Sequence, residues 1–213
     1  MVIGCILCFM NQEESHIKIE EIKSPNDPSL PSKTTFKSAI KEIAIFAAIA
    51  IGIVLPFRIF IAEPYLVDGR SMDPTFSTGD YLIVDKLSYR IGEPKRNTVV
   101  VFKYPNDPKR SFIKRIIGLP GETVVIKDNT VKIINKDNPE GFTIDQSYIV
   151  HTSEDSITKT LGADEYFVMG DNRAESFDSR AWGPLERKYM LGTPVLRLYP
   201  LTKMGILPGE DKK

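Results

Sequence analysis

Thiols, histidines and net charge are all scarce in this chain. Among its 213 residues the only cysteines are Cys5 and Cys8, so the remainder contains no thiol for a disulfide, a metal site or a nucleophile. The only histidines, His16 and His151, lie far apart, and no cluster of His, Asp and Glu has metal-ligand spacing, so neither a metal nor a cofactor is expected. Lys and Arg number 28 and Asp and Glu 28, a balance that leaves no global field to attract nucleic acid. Any chemistry must therefore use oxygen and nitrogen groups. A hydrophobic content of 42% is enough for one ordinary domain with a core.

Long apolar runs are scarce too, with one exception. Residues 1–10 are apolar but too short to span a bilayer, and they lack a basic leader and a small-residue cleavage pattern. Residues 11–37 are rich in Glu, Lys, Ser and Pro, a composition that buries too little to offset its ordering entropy. A disordered tail is expected over 1–38. From Ile43 to Ala62 the only charge is Arg58, near enough to the end to snorkel. Twenty residues at about 1.5 Å each give about 30 Å, the thickness of a hydrocarbon core. The run has no polar face at helical period, so a transmembrane helix over 39–62 is favoured over a buried soluble helix. Lys33, Lys37 and Lys41 precede the run, whereas Glu63, Asp68 and Arg70 follow it. That bias places the N-terminus in the cytoplasm and residues 63–213 outside, on a single-pass protein of the plasma membrane.

Beyond the span the texture changes to short β-branched runs broken by turn residues, at 81–85, 98–103, 112–117, 122–127, 131–134, 166–169 and 195–198. Such runs predict a mainly β domain, a sandwich or barrel. Asp128-Asn129 between two of them is a hairpin signal.

Three segments carry residues capable of chemistry. Gly69-Arg70-Ser71-Met72-Asp73-Pro74 presents a serine in a small-residue turn where another backbone can approach, although such turns often use serine only as punctuation. A serine nucleophile needs a base. His151 has no motif around it, whereas strand period puts Lys114 on one face with Phe112 and Ile116, positioned to be desolvated. A lysine guarding a sheet edge is the plainer alternative. Ser111 and Lys114 also form an S-x-x-K string, but on a strand positions i and i+3 face opposite ways, so Ser111 is rejected as nucleophile. In the third segment, 170–184, a highly polar loop follows an apolar strand. If buried, it must satisfy its own charges, with Asp178 and Arg180 the favoured ion pair and Ser176 available to orient an amine, whereas a solvated surface loop would need none of this.

Together these segments resemble the type I signal peptidases. The likeness runs from about Phe57 to Gly205 and rests on Ser71-Met72-x-Pro74-Thr75, Gly79-Asp80, residues 114–121 and the 170–184 loop. It implies a β-rich catalytic domain against the outer membrane surface, with Ser71 as nucleophile, Lys114 as general base, Ser176 as the hydroxyl that holds the lysine, and Asp178 and Arg180 as a structural pair. The implied activity is removal of signal peptides from exported precursors after small residues, with no cofactor; a monomer is expected. An extended substrate is expected to lie as an added strand along Leu66–Asp68 and the Lys114 strand, with Leu66, Asp68, Met72 and Phe112 as its contacts. Some members carry a serine two residues before the nucleophile to help form the oxyanion hole, where this chain has Gly69, so another donor is expected there. The stretch between Lys114 and Gly170 leaves room only for a small accessory β-subdomain. A peptidase dedicated to one client precursor, and a non-catalytic peptide-binding β-domain on a membrane anchor, are the competing readings.

Overall fold

A computed structural model describes residues 36–54 and 61–209. Most of the tail expected over 1–38, and residues 55–60 of the span expected over 39–62, therefore fall outside the described residues. Two units, Met1–Phe46 and Ala47–Lys213, separate by their internal packing. Helix α1 (Phe36–Ile49) continues into one π-helical stretch, Ala50–Val54. Its apolar side chains are bare, Phe46 at 71% and Ile43 at 68% exposure. Among the described residues no helix is long and apolar enough to cross a membrane. Ala62, the last residue of the hydropathy run, already opens a strand, pairing with Asp85.

Everything after that is mainly antiparallel β, as the texture of the sequence predicts. The large sheet has the order β1-β2-β11-β3-β4-β9-β10, with β12 added to β11. Its strands are β1 (Ala62–Leu66), β2 (Tyr81–Asp85), β3 (Val99–Tyr104), β4 (Asp107–Gly118), β9 (Glu165–Met169), β10 (Leu185–Glu186), β11 (Met190–Tyr199) and β12 (Gly205–Ile206). β3 is central and buried along Val99–Phe102, which explains its unbroken apolar run. β4 is long because only its second half is core: Asp107–Ser111 lie in solvent or near it, and Lys114–Gly118 are buried.

The small sheet, order β7-β6-β5-β8, is built from β5 (Thr123–Lys127), β6 (Thr130–Ile134), β7 (Phe142–Thr143) and β8 (Ser156–Thr160). The β5–β6 hairpin turns through Asp128 and Asn129 at φ 46° and 66°. Left-handed conformation at both central residues is the turn geometry that matches strand twist, and Asn and Asp tolerate it better than most residues. This sheet packs through Val124, Ile126, Val131 and Ile133 onto Ile117, Phe167 and Met169 of the large one. It is the small accessory subdomain that the short 114–170 interval allowed.

Candidate active site

Ser71 sits in the loop between β1 and β2, and that loop is pinned on both flanks. Before it, Val67 N–H donates to Asp80 O and Gly79 N–H to Val67 O, both at 2.9 Å. Thr78 Oγ1 lies 3.1 Å from both the N–H and the carbonyl of Gly69, accepting from one and donating to the other. Gly69 has φ 106°, so a serine here would be strained even though an added Cβ meets nothing within 4 Å. After Ser71, Met72 and Phe76 are buried with Val67, Leu82 and Val99. Met72, expected to touch substrate, is instead 1% exposed and anchors the loop from below. An apolar side chain next to the exposed turn gains more by entering the core than by facing the groove.

Lys114 comes from β4, opposite Val100 of β3, with 4% of its surface exposed. Its Nζ donates to Ser71 Oγ at 2.6 Å and to Ile113 O at 3.0 Å, and lies 5.5 Å from the centre of the Phe112 ring. Burial brings the ammonium down from 10.5 to about 8, against the pull of Asp178 and Asp171 and with help from Arg180. At pH 7 about one amine in ten is then neutral, enough for a base. His151, the alternative base, is exposed; its backbone carbonyl accepts from Arg173 N–H.

The loop after β9 closes the site from the other side. Asp178 is fully buried, and Arg180 donates to both its oxygens at 2.8 Å. Arg180 also reaches Asp155 at 2.6 Å and Ser153 at 2.7 Å, while Asp178 accepts from Gly170 N–H at 3.0 Å. The pair therefore holds the start of the loop against the strand that precedes it. Ser176, expected to hold the lysine, makes no such bond: its Oγ is buried without a hydrogen-bond partner among the described residues. The Ile113 carbonyl is the second acceptor of the Lys114 ammonium instead. Ser176 Oγ and the Ser71 carbonyl both press on Gly170, where a Cβ would collide with each. Glycine is required there by close approach.

Residue type and spacing alone left other members of the site unassigned. Arg115, facing away from Lys114 on the same strand, binds Asp171 through two bonds of 2.8 and 2.7 Å, and Thr75 Oγ1 donates to Asp171 at 2.6 Å. Asn172 donates from its backbone to Ser71 O and from its side chain to Arg70 O, both at 3.1 Å. Alternation along β4 could have suggested that Arg115 needs a buried partner, but not which of the acidic residues it meets. Beside Ser71 and Lys114 runs a groove of about 310 Å³, walled by Leu66, Asp68, Phe112 and Ile113 among others, with Phe177 also lining it. Three of the four expected substrate contacts line this groove, and Met72 does not.

Residues 40–199 match the family described as signal peptidase, peptidase S26. The chain belongs to this family. It is 34% identical over 190 residues to a probable signal peptidase I-2 of Synechocystis, covering 86% of this chain and 82% of the relative. It is 36% identical to signal peptidase I of Bacillus licheniformis over 80% of this chain and 95% of the relative. With signal peptidase I T of Bacillus subtilis the identity is 38%, over 73% and 83%. Both Ser71 and Lys114, the loop of residues 170–184 and nearly the whole β region lie inside the matched span of the signal peptidase family.

Proposed function

We propose that this chain is a membrane-bound serine endopeptidase that removes signal peptides from exported precursors, with Ser71 as nucleophile and Lys114 as its base. The observation that carries the assignment is the 2.6 Å contact between a buried lysine amine and a serine hydroxyl at the wall of an open groove. A neutral amine at that distance can take the hydroxyl proton as the oxygen attacks, which is general-base activation without histidine. Ser71 Oγ bonds to the scissile carbonyl carbon, the carbonyl electron pair moves to oxygen, and Lys114 holds the proton. As the C–N bond breaks, Lys114 passes that proton to the leaving amine. A water deprotonated by the same amine then hydrolyses the ester.

Substrate enters extended, between residues 65–68 and residues 110–114, where β1 is an edge strand and this part of β4 has no partner on the β9 side. Leu66, Asp68 and Phe112 line its path, small residues precede the cut, and Asp178 with Arg180 keeps the loop of residues 170–184 in place. Residues 39–61, the expected span up to the start of β1, anchor the domain to the plasma membrane, with the N-terminus cytoplasmic and the β region outside. The bare apolar side chains of α1 support this, because in water they have no compensating partner. Tethering puts the site where a membrane-held signal peptide presents its junction at high effective concentration.

The test is cleavage of a precursor with an Ala-x-Ala junction by detergent-solubilised wild type and Ser71→Ala. Cleavage at the junction by wild type alone is expected. Turnover surviving in Ser71→Ala refutes the nucleophile, and binding without cleavage by wild type supports a peptide-binding domain instead.

A further inference from the structure

Among the described residues the Ser71 backbone N–H has no acceptor of its own, so it is available to the oxygen that turns negative when Ser71 attacks. With Gly69 in place of a hydroxyl-bearing residue, the orientation of that one N–H matters more than in a site with two donors. Its orientation is that of the Arg70–Ser71 peptide plane. The carbonyl at the other end of this plane accepts two bonds: Asp73 N–H at 3.2 Å and Asn172 Nδ2–H at 3.1 Å. Asn172 also reaches the next peptide, its backbone N–H donating to Ser71 O at 3.1 Å. Its side-chain oxygen is occupied too, accepting from Glu175 N–H at 3.2 Å. A residue only 1% exposed thus grips both peptides that flank the nucleophile and ties them to the loop that carries Ser176. The Arg70 guanidinium, by contrast, points outward to Asp73 and Glu175 at 63% exposure.

We propose that Asn172 is a positioning residue for the oxyanion hole: its amide fixes and polarises the Arg70–Ser71 peptide so that the Ser71 N–H meets the developing oxyanion. A peptide that accepts at its carbonyl donates more strongly at its N–H, and a held plane needs no reorganisation when charge appears. The inference rests on Ser71 being the nucleophile, as proposed above. Two variants separate the contributions. Asn172→Asp keeps the acceptor for Glu175 and the side-chain volume but loses the donor to Arg70, whereas Asn172→Ala loses both without adding charge.

Both are measured in the full-length detergent-solubilised protein for kcat and KM on an Ala-x-Ala precursor peptide, for inhibition by the corresponding peptide aldehyde, and for melting temperature. The aldehyde is attacked by Ser71 to give a tetrahedral adduct, so its affinity reports on the oxyanion site. The expected result in each variant is a fall in kcat of about 10- to 100-fold, with KM changed less than about twofold and aldehyde affinity falling in step with kcat/KM. In Asn172→Ala the pH midpoint of activity stays where wild type has it, because the Lys114 surroundings are intact. A loss confined to KM, a kcat loss with undiminished aldehyde affinity, or wild-type kinetics in either folded variant overturns the proposal. Ser71→Ala, run alongside, keeps the two readings distinct. An inactive Ser71→Ala with unaffected Asn172 variants sinks only this inference, whereas an active Ser71→Ala sinks the nucleophile assignment itself.

Discussion

The two sheets solve the problem of burial in opposite ways. The small sheet packs on an apolar cluster of Ile117, Val124, Ile126, Val131, Ile133, Ile144, Leu161, Phe167 and Met169, with the buried Glu122 at its margin paired to Arg96. Its strands β5 and β6 alternate buried and accessible residues, and the hydrophobic effect alone accounts for them. The large sheet and its loops bury Lys114, Arg115, Asp171, Asn172, Arg173 and Asp178 as well. Burying charge is costly unless it is paired and hydrogen-bonded, and Arg115 with Asp171 and Arg180 with Asp178 meet that condition bidentately. Lys114 does not, since its close partners are a hydroxyl and a carbonyl. That incomplete neutralisation is what the role proposed for Lys114 as a base requires.

If this division is real, substitutions on the two sides must separate activity from stability. The largest effect belongs to Lys114→Arg, which is expected to abolish turnover while leaving a folded protein, because a guanidinium stays protonated and cannot act as base. In wild type, kcat/KM should rise with pH through about 8 as the amine becomes neutral. The same shift predicts a stability slope. The folded amine titrates near 8 and a solvated lysine at 10.5, so between these the unfolded chain binds more protons, and stability increases with pH across that window. Denaturant titrations of wild type and Lys114→Met should show the slope in the first and its loss in the second.

Gly170→Ala comes next. Its methyl group must displace the Ser71 carbonyl or the Ser176 side chain, and a shift of about 1 Å at the reacting serine costs on the order of 100-fold in kcat. Single-turnover cleavage assays give the number, and undiminished kcat would show that the loop of residues 170–184 does not set the nucleophile's position. Asp178→Ala leaves Arg180 buried with only the partly exposed Asp155 opposite it, so a stability loss toward the low end of about 3–5 kcal/mol is expected in urea titrations, with activity falling as well. Ile133→Val in the small sheet is the mildest, about 0.5–1.5 kcal/mol of stability with kcat unchanged. A matching drop in kcat would mean that the small sheet tunes the site and is not merely a brace.

Much of the fold was legible because its signals are local. The runs at 81–85, 131–134 and 166–169 lie within a residue of the strands formed, and the Asp128-Asn129 turn is a two-residue hairpin. β8 was missed because Ser156–Thr160 is polar and almost wholly accessible, with no apolar face to betray it. β1 is not among the expected strands: its first residue, Ala62, lies in the apolar run read as a span, and it is a short edge strand carrying Pro64. Within the candidate site, strand period alone put Lys114 beside Phe112 and Ile116, and the loop's own composition singled out Asp178 with Arg180. Met72 escaped because alternation cannot tell which side of an irregular turn faces the core. Asn172 escaped because an amide carries no charge to demand a partner.

What the sequence determined by itself is therefore whatever depends on neighbours along the chain: the β texture, the hairpin, the face on which Lys114 lies, and the charged composition of the loop at 170–184. The pairing of Ser71 with Lys114, 43 residues apart, was decided only in three dimensions, as was that of Arg115 with Asp171, 56 residues apart. So too was the grip of Asn172 on the Arg70 and Ser71 carbonyls. Each of these contacts needs β4, β9 and the β1–β2 loop brought to one place, and the drying of the lysine that lowers its affinity for a proton follows from that packing alone.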